Sequence, residues 1–157
     1  MKVAQHLWFE KDMETAVSLY VSLIPGSAID WISAVPADNP SGPAGAVRTM
    51  AFHLADQSYR ALQAGPLAPF NPSFSIVVQC DDQAEIDHVW AALLEGGGKE
   101  SRCGWLTDRW GLSWQIVPRQ LAELMSGGEP RRAKQVAEAM LKMVKFDIAA
   151  LEAAAAA

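Results

Sequence analysis

The side chains able to do chemistry are few. The histidines are His6, His53 and His88, and the cysteines are Cys80 and Cys103. They form no HxH, HExxH, CxxC or His–Cys cluster, so no zinc or redox motif follows from them. A GxSxG elbow, a Walker loop and a GxGxxG turn after a strand are all missing, which weighs against the commonest hydrolase, P-loop and dinucleotide sites. Gly96-Gly97-Gly98 follows a helical pattern and precedes a strand, so it reads as a turn rather than a phosphate cradle. His88 falls one residue off the apolar stripe of its helix and reads as a surface residue. His53 lies between Phe52 and Leu54 and should face away from both. The informative stretch is Cys103 to Pro118, CGWLTDRWGLSWQIVP. Strand alternation from Leu112 puts Trp114 and Ile116 on one face and Ser113, Gln115 and Val117 on the other. A glutamine between apolar neighbours must find hydrogen-bond partners, either by tying down a loop or by facing a ligand.

Composition bounds the rest. The chain has 157 residues, 50% hydrophobic and 20% charged, the make-up of a single globular domain. Thirteen basic against eighteen acidic side chains leave a net charge of −5, which argues against a nucleic-acid surface. The longest uncharged stretch, Ala61 to Cys80, is broken by Gly65, Pro66, Pro69 and Pro72, so no membrane span is expected. His6, Glu10, Lys11, Asp12 and Glu14 stand where a secretory signal would be apolar. A cytoplasmic protein with two reduced cysteines is the expectation.

These residues need elements to position them, and the chain predicts a repeated set. Gln5–Phe9 reads as a strand. Asp12 is placed to cap a helix whose apolar face is Ala16, Val17, Tyr20, Leu23 and Ile24, ended by Pro25-Gly26. Strands follow at Ala28–Val35, Ala46–Leu54 and Tyr59–Ala64, and Leu67 to Pro72 is a natural internal boundary. The order then recurs. A strand over Phe74–Gln79 precedes a helix capped by Asp82 and Glu85, with a stripe at Ile86, Val89, Trp90, Leu93 and Leu94. Three short strands are expected at Glu100–Cys103, Gly104–Thr107 and Leu112–Val117, with a turn at Asp108–Gly111. Tyr20 and Trp90 occupy similar places 70 residues apart, a repeat of pattern more than of identity. A short helix over Gln120–Met125 ends at Gly127-Gly128. Pro130 opens another helix, striped by Ala133, Val136, Ala137, Met140, Leu141 and Val144, and Leu151–Ala157 reads as a frayed tail.

The run CGWLTDRWGLSWQIVP resembles the signature of the PhnB-like branch of the vicinal oxygen chelate superfamily, which also holds glyoxalase I, bleomycin-resistance proteins and extradiol dioxygenases. His-Leu-Trp-Phe at 6–9, Ala-Leu-Gln-Ala-Gly-Pro at 61–66 and Phe-Asn-Pro-Ser-Phe-Ser at 70–75 extend the likeness. The resemblance implies an α+β fold in which two βαβββ modules form a curved mixed sheet around a pocket. Module one would span about 3–66, module two about 71–118, and a C-terminal helical extension about 119–150, all within one domain over 1–157. The branch often carries the label 3-demethylubiquinone-9 3-methyltransferase domain, yet nothing in the chain resembles a glycine-rich S-adenosylmethionine loop.

Metal-dependent members of the superfamily hold a divalent ion with two histidines and a glutamate. Carried over one at a time, those positions fall on Gln5, counted back from Tyr20; on Asn71, aligned on Phe74; and on Gln115, counted from Gly111. A one-residue slip on the first strand would present His6 instead of Gln5. Three carboxamides bind a transition ion poorly, so the expectation is no bound metal and no cofactor. Trp8, Trp105, Trp114 and His53 complete the candidate lining. Three readings stay open: a small-molecule binding protein, an enzyme of the lyase, isomerase or dioxygenase type using His53 or Cys103, and an interaction protein. A homodimer is expected in each.

Overall fold

The computed structural model describes residues 1–126 and 129–157, so the expected Gly127-Gly128 helix stop lies outside the described residues. The chain divides into two compact units, Met1–Pro69 and Phe70–Ala157.

The first unit runs β1 (Gln5–Phe9), α1 (Met13–Leu23), β2 (Ala28–Ala34), β3 (Arg48–Leu54) and β4 (Gln57–Gln63). Its sheet has the order β1-β4-β3-β2, with β1 parallel to β4 and the other neighbours antiparallel. Ala16, Val17 and Tyr20 are buried on α1 as the spacing predicts, joined by Met13, while Leu23 and Ile24 at its C-terminal end are only half-buried. The start of α1 differs from expectation. Asp12 sits at φ 59° and makes no capping bond; the Gln63 side chain accepts the Met13 N–H at 2.9 Å instead, satisfying one of the orphan amides of the first turn. The β3–β4 connection needs only Ala55 and Asp56, because Leu54 already pairs with Gln57, so β4 begins two residues before the expected Tyr59. The β2–β3 ladder slips between Ile29 and Trp31 and leaves Asp30 as a bulge.

The second unit repeats the plan: β5 (Ser75–Cys80), α2 (Gln83–Leu94), β6 (Lys99–Glu100), β7 (Trp105–Thr107) and β8 (Ser113–Pro118), in the order β5-β8-β7-β6 with β5 parallel to β8. Asp82 Oδ1 accepts the Glu85 N–H, and Glu85 Oε2 accepts the Asp81 N–H, a capping box displaced by one residue. β6 is shorter than the strand expected over Glu100–Cys103. Cys103 and Gly104 both adopt positive φ and turn the chain before β7.

Beyond β8 lie α3 (Gln120–Ser126), α4 (Pro130–Met140) and α5 (Ile148–Ala156). Two expectations are corrected here. The stripe continued to Val144 breaks at Met140, and the alanine tail is a helix. Asp147 caps α5 by accepting the Ala150 N–H at 3.0 Å. Gln83 then anchors the segment twice, donating to the Phe146 carbonyl at 3.1 Å and accepting the Ile148 N–H at 3.0 Å. Leu124, Val136, Phe146 and Leu151 form a core of their own. Each such burial contributes about 1.5–3 kcal/mol, so the tail is held by packing and not by alanine's helix propensity alone. Among the described residues, no helix is long and apolar enough to cross a membrane.

Candidate ligand-binding site

Cross-strand partners share a face, so the registers sort the candidates. In the first unit, Leu7, Phe9, Met50, Phe52, Tyr59 and Ala61 are all buried on the α1 side, with Phe52 and Tyr59 stacked at 5.0 Å. Burial raises the Tyr59 pKa. Gln5 pairs with Tyr59 and belongs to that side. His6 and Trp8 stand on the opposite face, opposite Arg60 and Leu62, and His53 joins them beside Ser58. The structure therefore brings Trp8 and His53 to one face and leaves Gln5 on the other. Trp8 Nε1–H donates to the Gly65 carbonyl at 2.9 Å.

A partner for His53 is absent from the sequence reading. The bulge turns Asp30 toward His53, placing Oδ1 2.9 Å from Nδ1. A carboxylate only accepts, so Nδ1–H donates to Asp30 and the contact fixes the orientation of the ring. At the next residue of β2, Trp31 lies under the Arg60 guanidinium at 4.9 Å. Bulges re-aim side chains in this way, but nothing in the local composition marks Asp30 in advance.

In the second unit, Ile76, Trp114, Ile116 and Leu106 are buried on the α2 side. Trp114 is 1% exposed, and its Nε1–H donates to Asp108 Oδ2 at 3.0 Å, so it packs in the core and not on the face that carries Gln115. Trp105 and Gln115 are direct partners on the opposite face, and Gln115 Nε2–H donates to Ser75 Oγ at 2.8 Å. Asn71 is exposed, and its Oδ1 accepts the Ser73 N–H at 2.9 Å, a side-chain turn of the kind asparagine favours. Trp105 and Gln115 are thus brought together, while Asn71 and Trp114 serve the backbone and the core.

On this face lies a cleft of about 460 Å³ whose lining includes Lys99, Arg102, Trp105, Thr107 and Ser113. The volume falls in the range of small-molecule sites, about 300–1,000 Å³. Ser113 is 1% exposed, and its Oγ has no hydrogen-bond partner. Strand alternation puts Ser113 on the Gln115 face without marking it further; the orphaned hydroxyl emerges only once β8 is seated between β5 and β7.

The two cysteines are thiols. Burial, then the carboxylates of Glu85, Asp82 and Asp81, push the Cys80 thiol up to about 11. At pH 8 only about one molecule in a thousand then carries the reactive thiolate. Alkylation of Cys80 by iodoacetamide is expected to run more than about a hundredfold slower in the folded chain than in guanidinium. Peptide mass spectrometry reads this, and equal rates would contradict a buried Cys80.

The donor set does not suit the divalent ion that the superfamily implies. Among the described residues, no three His, Cys, Asp or Glu side chains group as metal ligands. Of the carboxamides, Gln115 and Asn71 are engaged with Ser75 and the Ser73 amide.

Two βαβββ units with the same strand order, β1-β4-β3-β2 and β5-β8-β7-β6, define an α+β glyoxalase-like fold. The family model described as 3-demethylubiquinone-9 3-methyltransferase matches residues 1–117. The chain belongs to that PhnB-like family. Its fold is similar to that of a PhnB protein from Bacillus cereus, named for the same methyltransferase, at 30% identity and a TM-score of 0.66, covering 75% of this chain and 99% of that one. It is also similar to protein PA1353 from Pseudomonas aeruginosa, at 22% identity and a TM-score of 0.56, with 75% and 97% covered. A third similar fold is that of the fosfomycin resistance protein FosX from Mesorhizobium loti, at 15% identity and a TM-score of 0.52, with 74% and 90% covered. No curated protein matches the chain.

Proposed function

We propose that the protein binds a small organic molecule in a pocket lined by aromatic and neutral polar side chains, without a tightly held metal. The cleft beside Trp105, whose lining residues include Ser113 with its buried, unpartnered hydroxyl, carries this reading. Trp105 offers a flat apolar surface, Gln115 stands opposite it, and Trp8 and His53 offer similar chemistry in the first unit. Neither unit has the glycine-rich strand-to-helix turn of a Rossmann methyltransferase. The methyltransferase name is therefore not taken as the activity. Homodimerisation in the cytoplasm belongs to the same reading.

The test is the metal content of untagged protein, measured by mass spectrometry before and after dialysis against nickel, manganese, zinc and iron(II), with light scattering on the same sample. The expected result is well under one ion per chain and a mass twice the 17.0 kDa of the chain. About one retained ion per chain would overturn the metal-free pocket. It would favour the second reading, an enzyme of the lyase, isomerase or dioxygenase type. The observation that supports that alternative is the His53–Asp30 pair, a carboxylate orienting an imidazole as a general base requires.

A further inference from the structure

We infer that the cleft of the second unit selects an anionic ligand: a flat, aromatic-sized molecule bearing one carboxylate-like group. The inference rests on the small-molecule reading above and names the class of ligand.

The chain as a whole is acidic, at −5, yet this cleft carries two cations. Lys99 and Arg102 line it, and neither makes an ion pair among the described residues. Elsewhere Arg48, Arg119, Lys134 and Lys145 pair with carboxylates, while Lys2, Lys11, Arg131, Arg132 and Lys142 make no ion pair among the described residues. One carboxylate shares the cleft, that of Glu100, and its Oε1 already accepts the Trp90 indole N–H at 2.9 Å. The balance of formal charge in the cleft is positive.

The second observation is independent of charge. The Ser113 hydroxyl is buried and unsatisfied, and Thr107, its direct partner across the ladder, also lines the cleft. A buried hydroxyl without a partner is costly to fold around. An acceptor oxygen arriving in the cleft would satisfy it. Carboxylate oxygens accept well from a serine hydroxyl, and they pair with a guanidinium through two parallel bonds. Pro72 and the Trp105 indole supply the apolar remainder of the lining, which suits a ring and not a bare inorganic ion.

The probes are 1-naphthoate and its neutral counterpart 1-naphthamide, titrated into the full chain while the Trp105 indole N–H is followed by NMR. Naphthoate is expected to bind about tenfold tighter than naphthamide at low salt, the worth of one charge-assisted hydrogen bond. The advantage should vanish near 1 M salt, where the Debye length falls to about 3 Å. Lys99→Gln and Arg102→Gln should each remove several-fold of the naphthoate affinity and leave naphthamide unchanged. Ser113→Ala should raise the melting temperature of the free protein while weakening naphthoate, opposite signs that a purely structural serine would not give. Equal binding of the two probes would overturn the anion selectivity and leave the small-molecule reading standing. If neither probe moves the Trp105 signal at millimolar concentration, the reading of the cleft falls with it. Unchanged naphthoate affinity in both charge variants would also overturn the inference.

Discussion

Gly104→Ala is expected to destabilise the protein by about 2–5 kcal/mol, combining the penalty of a left-handed alanine with that of an overpacked core. Gly104 sits at φ +76°, and a Cβ there would lie 2.4 Å from Phe146 Cε2 and 2.7 Å from the Ile116 carbonyl oxygen. The backbone has no room to yield. The Gly104 N–H donates to the Val144 carbonyl and its own carbonyl accepts the Ile116 N–H, both at 2.8 Å, while the Cys103 N–H donates to Met143 at 2.9 Å. The residue thus joins the turn before β7 to the segment that leads into α5. Thermal unfolding reads the loss, at about 2–4 °C per kcal/mol for a chain of this length. Part of the effect should disappear in a Phe146→Leu background, because the closest atoms are those of the Phe146 ring. Additive losses in that double-mutant cycle would show that the ring is not the obstacle.

Asp108→Asn should cost about 2–4 kcal/mol, although it changes hardly any volume. Asp108 is 3% exposed, and its carboxylate closes the β7–β8 turn from within. Oδ1 accepts the N–H groups of Trp110 and Leu112 at 2.9 and 3.1 Å, and Oδ2 accepts the Trp114 indole N–H at 3.0 Å. An asparagine keeps one acceptor oxygen and turns an NH2 group toward donors, so at least one buried N–H loses its partner. Denaturant unfolding measures the change. Combined with Trp114→Phe, the loss should shrink, since the donor facing Oδ2 is then gone. A loss of under half a kilocalorie, the usual scatter of a surface substitution, would refute the role given to this side chain.

The parts of the fold that were legible in the sequence are those set by local periodicity. The Ile86–Leu94 stripe yields α2, and alternation from Leu112 assigns the two faces of β8 correctly, which places Trp114 under α2 and Gln115 opposite it. Asp82 with Glu85, and Pro130 at the start of α4, mark helix starts that the structure bears out. What was not legible depends on distant partners. Whether Gln5 or His6 faces α1 is decided by the parallel pairing of β1 with β4. Asp30 reaches His53 only through a slip in the β2–β3 ladder. The contact between Gly104 and Phe146 joins segments on either side of two helices. The last helix hid behind a run of alanines with no apolar stripe, although Asp147 ahead of it was a usable capping signal.

The placement of the six tryptophans has a practical consequence. Trp90 and Trp114 are buried in the second unit, Trp105 lies in its cleft, and Trp31 is 42% exposed on β2 of the first. The molecule therefore carries its own optical probes. Intrinsic emission can follow unfolding of the second sheet through Trp90 and Trp114, and a Trp31→Phe variant removes the most solvent-exposed of the remaining fluorophores. An aqueous quencher such as iodide, itself an anion, should reach Trp31 first; quenching of Trp105 that competes with naphthoate would show occupancy of the cleft without any label.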